Sequence, residues 1–210
     1  MPSPTRRKIL TTGATAVTAA AAPTWLSSAW AQKPQLRPTP SQAEGPFYPV
    51  VMPADSDFDL LRNGHAQYKR GQPCWVEGTV VDANGVPVTD AVVEIWQCDQ
   101  AGHYHHPGDG SQADPAFQGF GRTAVGPDGH YRFRTLKPAP YSGRTPHIHF
   151  KVRQDLRVLL TTQLYVTGDP GNERDGLWQR LNEQDRAALT VPFTLGVNGL
   201  RARFPIVVQL

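Results

Sequence analysis

The stretch Tyr141-Ser142-Gly143-Arg144-Thr145-Pro146-His147-Ile148-His149-Phe150 carries the side chains best suited to chemistry. Read as a strand from Pro146 to Arg153, it sets His147 and His149 on one face and Ile148 and Phe150 on the other, because strand side chains alternate. Two imidazoles side by side form an edge that can bind a metal. Alone, an H-x-H pair is more often a solvated strand face, since histidine is commonly part-exposed. This pair has company: Tyr141 lies on a Pro-rich turn just upstream, and Tyr104 follows the hydrophobic stretch ending at Trp96. Two His with two Tyr suggest ferric iron, a hard Lewis acid that phenolate oxygen suits better than thiolate does. A tyrosine with a reference pKa of about 10 needs the charge of the metal to lose its proton at neutral pH. The set differs from two-His-one-carboxylate ferrous sites and from His/Cys zinc sites.

These residues need strands to hold them. Cys74–Asp82 and Ala91–Cys98 read as strands on either side of an Asp82–Gly85 turn, and the expectation is a hairpin. The loop from Asp99 to Gly121 is long for a compact domain, which marks it as functional or disordered. It carries Tyr104, flanked by His103, His105 and His106, for which a solvated loop surface is favoured over a second metal site. Gly121–Val125 and His130–Thr135 read as another hairpin across Gly126–Gly129. Gln154-Asp155 then turns the ligand strand into Arg157–Val166, which carries Gln163. Residues 50–72 and 167–175 read as irregular, 176–189 as one or two short helices, and 203–210 as a last strand that Pro205 marks as an edge or bulge. Many strands with little helix predict an all-β fold, a β-sandwich of immunoglobulin- or transthyretin-like layers with long active-site loops.

The chain of 210 residues begins with Thr5-Arg6-Arg7-Lys8-Ile9-Leu10, an Ala/Thr-rich run and Ala29-Trp30-Ala31. That pattern reads as a twin-arginine signal over residues 1–31, too weakly apolar for a membrane span, and predicts a periplasmic or secreted protein handled by the twin-arginine export machinery. Three of the 21 basic residues sit in it, leaving 18 basic against 18 acidic side chains in the remainder. A neutral mature chain argues against a nucleic-acid partner. Residues 32–43 are Pro- and Gln-rich and read as an extended arm; 44–210 read as a single domain. The two cysteines, Cys74 and Cys98, fall equally far from a turn centred near Val86, and an oxidising compartment permits their pairing.

Arg144-Thr145-Pro146-His147-Ile148-His149-Phe150, together with the upstream Gly126–Pro138 segment and Glu44-Gly45-Pro46-Phe47-Tyr48-Pro49, resembles the intradiol ring-cleavage dioxygenases, the family of protocatechuate 3,4-dioxygenase and catechol 1,2-dioxygenase. The resemblance takes in most of the mature chain. It implies non-haem Fe(III) held by Tyr104, Tyr141, His147 and His149, with a catechol-type small molecule and O2 as substrates and a muconate-type diacid as product. It implies that Arg144 sits against the ring and stabilises developing anionic charge, that Gln163 lies near the metal, and that Tyr141 leaves iron as substrate binds and accepts a substrate proton. Gln163 has a second reading as an exposed strand amide. Tyr48 is either a site residue at the mouth or aromatic packing on a Pro-bounded turn. The segment from Tyr141 to His147 is shorter than in the two named enzymes and lacks their Trp-Arg after the second Tyr, so the ring substituents stay open, as does the oligomeric state. A transthyretin-like binding module without activity is the competing reading, and the four filled ligand positions argue against it. A metal-dependent hydrolase would want a carboxylate or an open zinc site, for which no spacing fits.

Overall fold

A computed structural model describes Met1 and residues 35–210. The expected signal and the first residues of the arm fall within residues 2–34, outside the described residues. No helix among the described residues is long and apolar enough to cross a membrane.

The chain runs as β1 (Arg62–Asn63), β2 (Ala66–Gln67), β3 (Pro73–Asp82), β4 (Ala91–Trp96), β5 (Phe120–Ala124), β6 (His130–Leu136), β7 (His147–Gln154) and β8 (Arg157–Val166). It continues through α1 (Gly176–Gln179), α2 (Glu183–Leu189), β9 (Thr190–Val191), β10 (Thr194–Gly196), β11 (Gly199–Arg203) and β12 (Ile206–Val208). One sheet is built on β3, with antiparallel β6 on one edge and parallel β11 and β12 on the other. The second has the order β5-β4-β7-β8-β9. The expected all-β sandwich is what forms, with two short helices between β8 and β9.

Alternation along the strands makes the core. Val76 and Val80 of β3 and Tyr131 and Phe133 of β6 meet Val93 and Ile95 of β4 and Ile148, Phe150 and Val152 of β7, all essentially inaccessible. Two sheets with one apolar face each bury them only against one another. The opposite face of the second sheet carries His147, His149 and Lys151 of β7, Glu94 and Trp96 of β4 and Gln163 of β8, and these are buried too. Loops must therefore cover that face, which is where the functional residues gather.

Both predicted hairpins are corrected. The turn after β3 closes as expected, with Asp82 N–H donating to Val86 O at 2.8 Å and Val81 bridging Pro87. The chain then leaves for the other sheet, because both edges of β3 are already taken by β6 and by β11–β12. Likewise β5 pairs with β4 while β6 pairs with β3, so the Gly126–Gly129 turn is a crossing between layers. The disulfide falls with the first hairpin. Cys74 lies in the main core, Cys98 beyond the end of β4 in a separate aromatic cluster, and both are free and buried. Burial pushes both thiols up, Cys98 to about 12.

β11 and β12 keep one register against β3 and are interrupted at Phe204-Pro205, where proline has no N–H to give the ladder. At that break Gly78 of β3 lets the Phe204 carbonyl come close: a Cβ on Gly78 would lie 2.1 Å from its oxygen. The Tyr131 hydroxyl donates to the same carbonyl at 2.5 Å. Gly78→Ala is expected to destabilise the fold by about 2 kcal/mol or more. Denaturant unfolding checks this, and an unchanged midpoint would mean that the strands separate without cost.

Residues 35–43 run extended from one sheet to the other. Leu36 N–H donates to Ala83 O, Thr39 N–H donates to Val207 O on β12 while the Val207 N–H returns to the Thr39 hydroxyl, and Gln42 N–H reaches Thr161 O on β8. The chain from Gln42 onward is thereby laid across the functional face.

Candidate metal centre

Tyr104, Tyr141, His147 and His149 are brought together on the outer face of the second sheet. All four are nearly sealed from solvent, the most exposed being Tyr141 at 9%. The two histidine Nε2 atoms lie 3.1 Å apart, the two tyrosine ring centres 5.0 Å apart, and Tyr141 sits 5.5 Å from the His147 ring.

The histidines are placed by β7 alternation and tuned by their neighbours. His147 Nδ1 lies 2.6 Å from Thr145 O; a carbonyl can only accept, so Nδ1 carries the proton and Nε2 presents its lone pair. His149 is stacked on Trp96, its partner in the β4–β7 register, at 4.8 Å and 9°. Burial, with the positive Arg144 nearby, lowers the His147 pKa to about 4 and holds His149 well below the usual range, so both are neutral at pH 7. Neutral imidazoles are ligands; imidazolium is not.

Tyr104 is placed by the long loop, which Asp99 and Asp109 organise. Asp99 takes the Ala101, His103 and Asp114 amides, and Asp109 takes the Tyr104 amide at 2.7 Å. The flanking histidines serve the loop. His105 Nε2 meets Phe117 O, His106 caps the short 3-10 turn Pro107–Asp109, and His103 lies 3.6 Å from Asp109. Tyr141 is placed by a tight turn in which Ser142 and Gly143 both have positive φ and Arg144 N–H returns to Tyr141 O at 2.7 Å. This turn closes the short Tyr141–His147 segment and sets Arg144 beside Tyr141.

The donors fit a hard, highly charged cation. The Tyr104 hydroxyl is buried without a well-formed hydrogen bond, its polar neighbour being the Tyr141 hydroxyl, which is a costly state for a phenol. Burial pushes both phenols up, Tyr104 far above its ordinary value, so only a strong positive charge would remove their protons. Among the described residues no group of three or more His, Cys, Asp or Glu could hold a metal.

Arg144 and Gln163 form one unit. An Arg144 terminal nitrogen donates to Gln163 Oε1 at 2.7 Å and its Nε to Asp175 Oδ2 at 2.6 Å. Gln163 is fully buried, which excludes its reading as an exposed amide, and its Nε2 donates to Ala43 O. Tyr141 and Arg144 line one side of a cleft of about 460 Å3, faced by Asp169, Pro170 and Arg174. That volume lies within the range of small-molecule sites.

The segment after Ala43 roofs the centre. A Cβ on Gly45 would meet the His149 ring at 3.3 Å, and Phe47 stacks on Tyr104 at 4.7 Å. Tyr48 engages Trp96, Glu94 and Lys151 rather than the His–Tyr cluster. Its hydroxyl donates to Glu94 at 2.8 Å, and burial together with that carboxylate raises it to about 12. Lys151 lies 3.3 Å over its ring and 2.5 Å from Glu44, clasping the roof to β7. Sequence reasoning missed Trp96, Asp99, Phe47 and Asp175. Phe47 alone had a signal, its place in the Pro-bounded aromatic motif.

A family model described as Dioxygenase matches residues 43–209. The protocatechuate 3,4-dioxygenase beta chain of Burkholderia cepacia is 38% identical over 153 residues, 66% of this chain and 64% of that one. Hydroxyquinol 1,2-dioxygenase of Nocardioides simplex is 34% identical over 64% of this chain and 49% of its own length. The chain thus spans about half to just under two thirds of these relatives. Among solved structures, the dioxygenase domain of a dioxygenase–carbohydrate-binding fusion from Streptomyces sp. SirexAA-E superposes with a TM-score of 0.66 at 31% identity, covering 83% of this chain and 99% of that one. With the match running from the roof segment to the last strand, the chain belongs to the intradiol ring-cleavage dioxygenase family.

Proposed function

We propose that this chain is an iron-dependent intradiol dioxygenase: it cleaves a catechol-type ring between the two hydroxylated carbons, inserts both atoms of O2 and releases a muconate-type diacid. Tyr104, Tyr141, His147 and His149 hold one Fe(III). The observation that carries the reading is the convergence of two neutral imidazole nitrogens 3.1 Å apart with two buried phenols, one without a well-formed hydrogen bond, beside a cleft that Arg144 lines. Bound there, iron would supply a Lewis acid able to take both catechol oxygens and make the ring reactive toward O2.

The residues divide the remaining work. Tyr141, at the cleft, accepts a proton from a substrate hydroxyl through its phenolate oxygen. Arg144, held in one plane by Asp175 and Gln163, places positive charge where anionic charge develops on the ring. Phe47, Trp96 and the Gly45 backbone keep water from the far side of the ligands.

The experiment is metal analysis of the natively expressed protein together with O2 uptake across a panel of catechols. The expected result is one iron per chain, the red-brown colour of phenolate-to-Fe(III) charge transfer, and consumption of O2 with at least one catechol. Stoichiometric zinc in a colourless protein would overturn it. A colourless protein that binds catechols without turnover would restore the binding-module reading. Arg6-Arg7 and Ala29-Trp30-Ala31 support export to the periplasm by the twin-arginine route, with the mature chain starting at Gln32. Mass spectrometry of the periplasmic form checks that start, and an exported protein retaining residues 1–31 would refute it.

A further inference from the structure

Asp175 is buried and uses both carboxylate oxygens. Oδ1 accepts the Leu177 and Trp178 amides at 2.9 and 3.0 Å, capping α1. Oδ2 accepts the Arg144 Nε at 2.6 Å and the Thr145 amide at 3.0 Å. The cap alone does not require a carboxylate, since asparagine or serine caps a helix as well. The other pair gains from one, because a guanidinium–carboxylate bond is charge-assisted. Oδ2 also grips the side chain of Arg144 and the backbone of the next residue at once, which fixes the direction of the guanidinium as well as its location. Gln163 holds the far nitrogen and is itself tied to Ala43 O at 3.0 Å. Burial opposes ionisation of Asp175, but its hydrogen bonds from Arg144, Trp178 and Thr145 outweigh it and keep the carboxyl below its ordinary value.

We infer that Asp175 is the positioning residue for Arg144, fixing the plane of its guanidinium against the cleft where the ring binds. The inference rests on the ring-cleaving reading and adds to it a residue some thirty positions from Arg144 in sequence, joined to it only by the fold. A misplacement of the order of 1 Å in a charge-stabilising group costs about 10²-fold in rate, so the grip has kinetic weight.

The test compares iron-loaded wild type, Asp175→Asn, Arg144→Ala and the double variant, with a crystal structure of Asp175→Asn. Asparagine keeps the cap through its carbonyl but cannot accept from Arg144 and the Thr145 amide with its NH2, so iron and colour should stay near wild type while the thermal midpoint falls by a few degrees. Turnover should fall by about 10- to 10²-fold with KM shifting by less than about threefold. Because Asp175 acts through Arg144, the double variant should be no slower than Arg144→Ala alone. The structure should show the guanidinium displaced from Gln163. Wild-type turnover in Asp175→Asn, an undisplaced guanidinium, or a further equal loss in the double variant would overturn the inference. If Asp175→Asn does not fold, Asp175→Ser keeps a cap with a smaller side chain and is read in the same way. If wild type cleaves no catechol, the ring-cleaving reading is what fails, and the guanidinium position still decides whether Asp175 holds Arg144.

Discussion

Arg144→Ala is expected to lower kcat by about 10²- to 10³-fold, the usual cost of removing a preorganised charge-stabilising group, equivalent to roughly 3–4 kcal/mol of transition-state stabilisation. Iron content and colour should survive, because Arg144 is not among the four donors. Its side chain is 20% exposed, lies beside the cleft and donates to Asp175 and Gln163. Stability should fall by less than the roughly 3–5 kcal/mol of a stranded buried charge, since Asp175 keeps three backbone N–H donors. Arg144→Lys should recover only part of the rate, because an ammonium cannot fork between two fixed acceptors in one plane. Steady-state kinetics on iron-replete protein checks this, and a variant within threefold of wild type would remove Arg144 from the chemistry.

Parts of this site were legible because they depend on local rules. The face shared by His147 and His149 follows from strand alternation, and the burial of Ile148 and Phe150 opposite them bears it out. The Asp82–Gly85 and Gly126–Gly129 turns were legible for the same reason. The strand pairing beyond each turn was not: which strand β4 or β6 joins depends on which sheet edges remain free, and that is settled only when β11 and β12, more than a hundred residues after β3, close against it. Asp175 shows the same limit at the site. In sequence it is an aspartate before a short helix, and only the packing of that helix beside the Tyr141–Arg144 turn gives its second oxygen a guanidinium. Leu60, Leu61 and Tyr68 lie in the core although their stretch reads as irregular, because polar neighbours mask any apolar periodicity there.

Tyr104 and Tyr141 are expected to fail in opposite ways when each is changed to phenylalanine. Tyr104 sits deep, stacked under Phe47 with its loop pinned by Asp99 and Asp109, so it cannot swing away from a bound metal. Tyr104→Phe should weaken iron binding by more than about 10²-fold, beyond the usual effect of losing a supporting hydrogen bond to a metal ligand. The same change should leave the iron-free protein at least as stable as wild type, because it removes a buried hydroxyl that makes no well-formed hydrogen bond. A tyrosine kept only for packing would show no such loss of metal. Tyr141 sits at the cleft edge on a two-residue turn, and Tyr141→Phe should keep iron and some colour while turnover falls by about 10²-fold through loss of the proton acceptor. That role requires Tyr141 to leave the iron when catechol binds, and the tight Ser142-Gly143 turn with its 2.7 Å closing bond sets how far it can move. Resonance Raman of the wild-type substrate complex reads the outcome directly. One tyrosinate signal should remain at saturating catechol, and two would show that Tyr141 stays bound and that the substrate proton goes elsewhere.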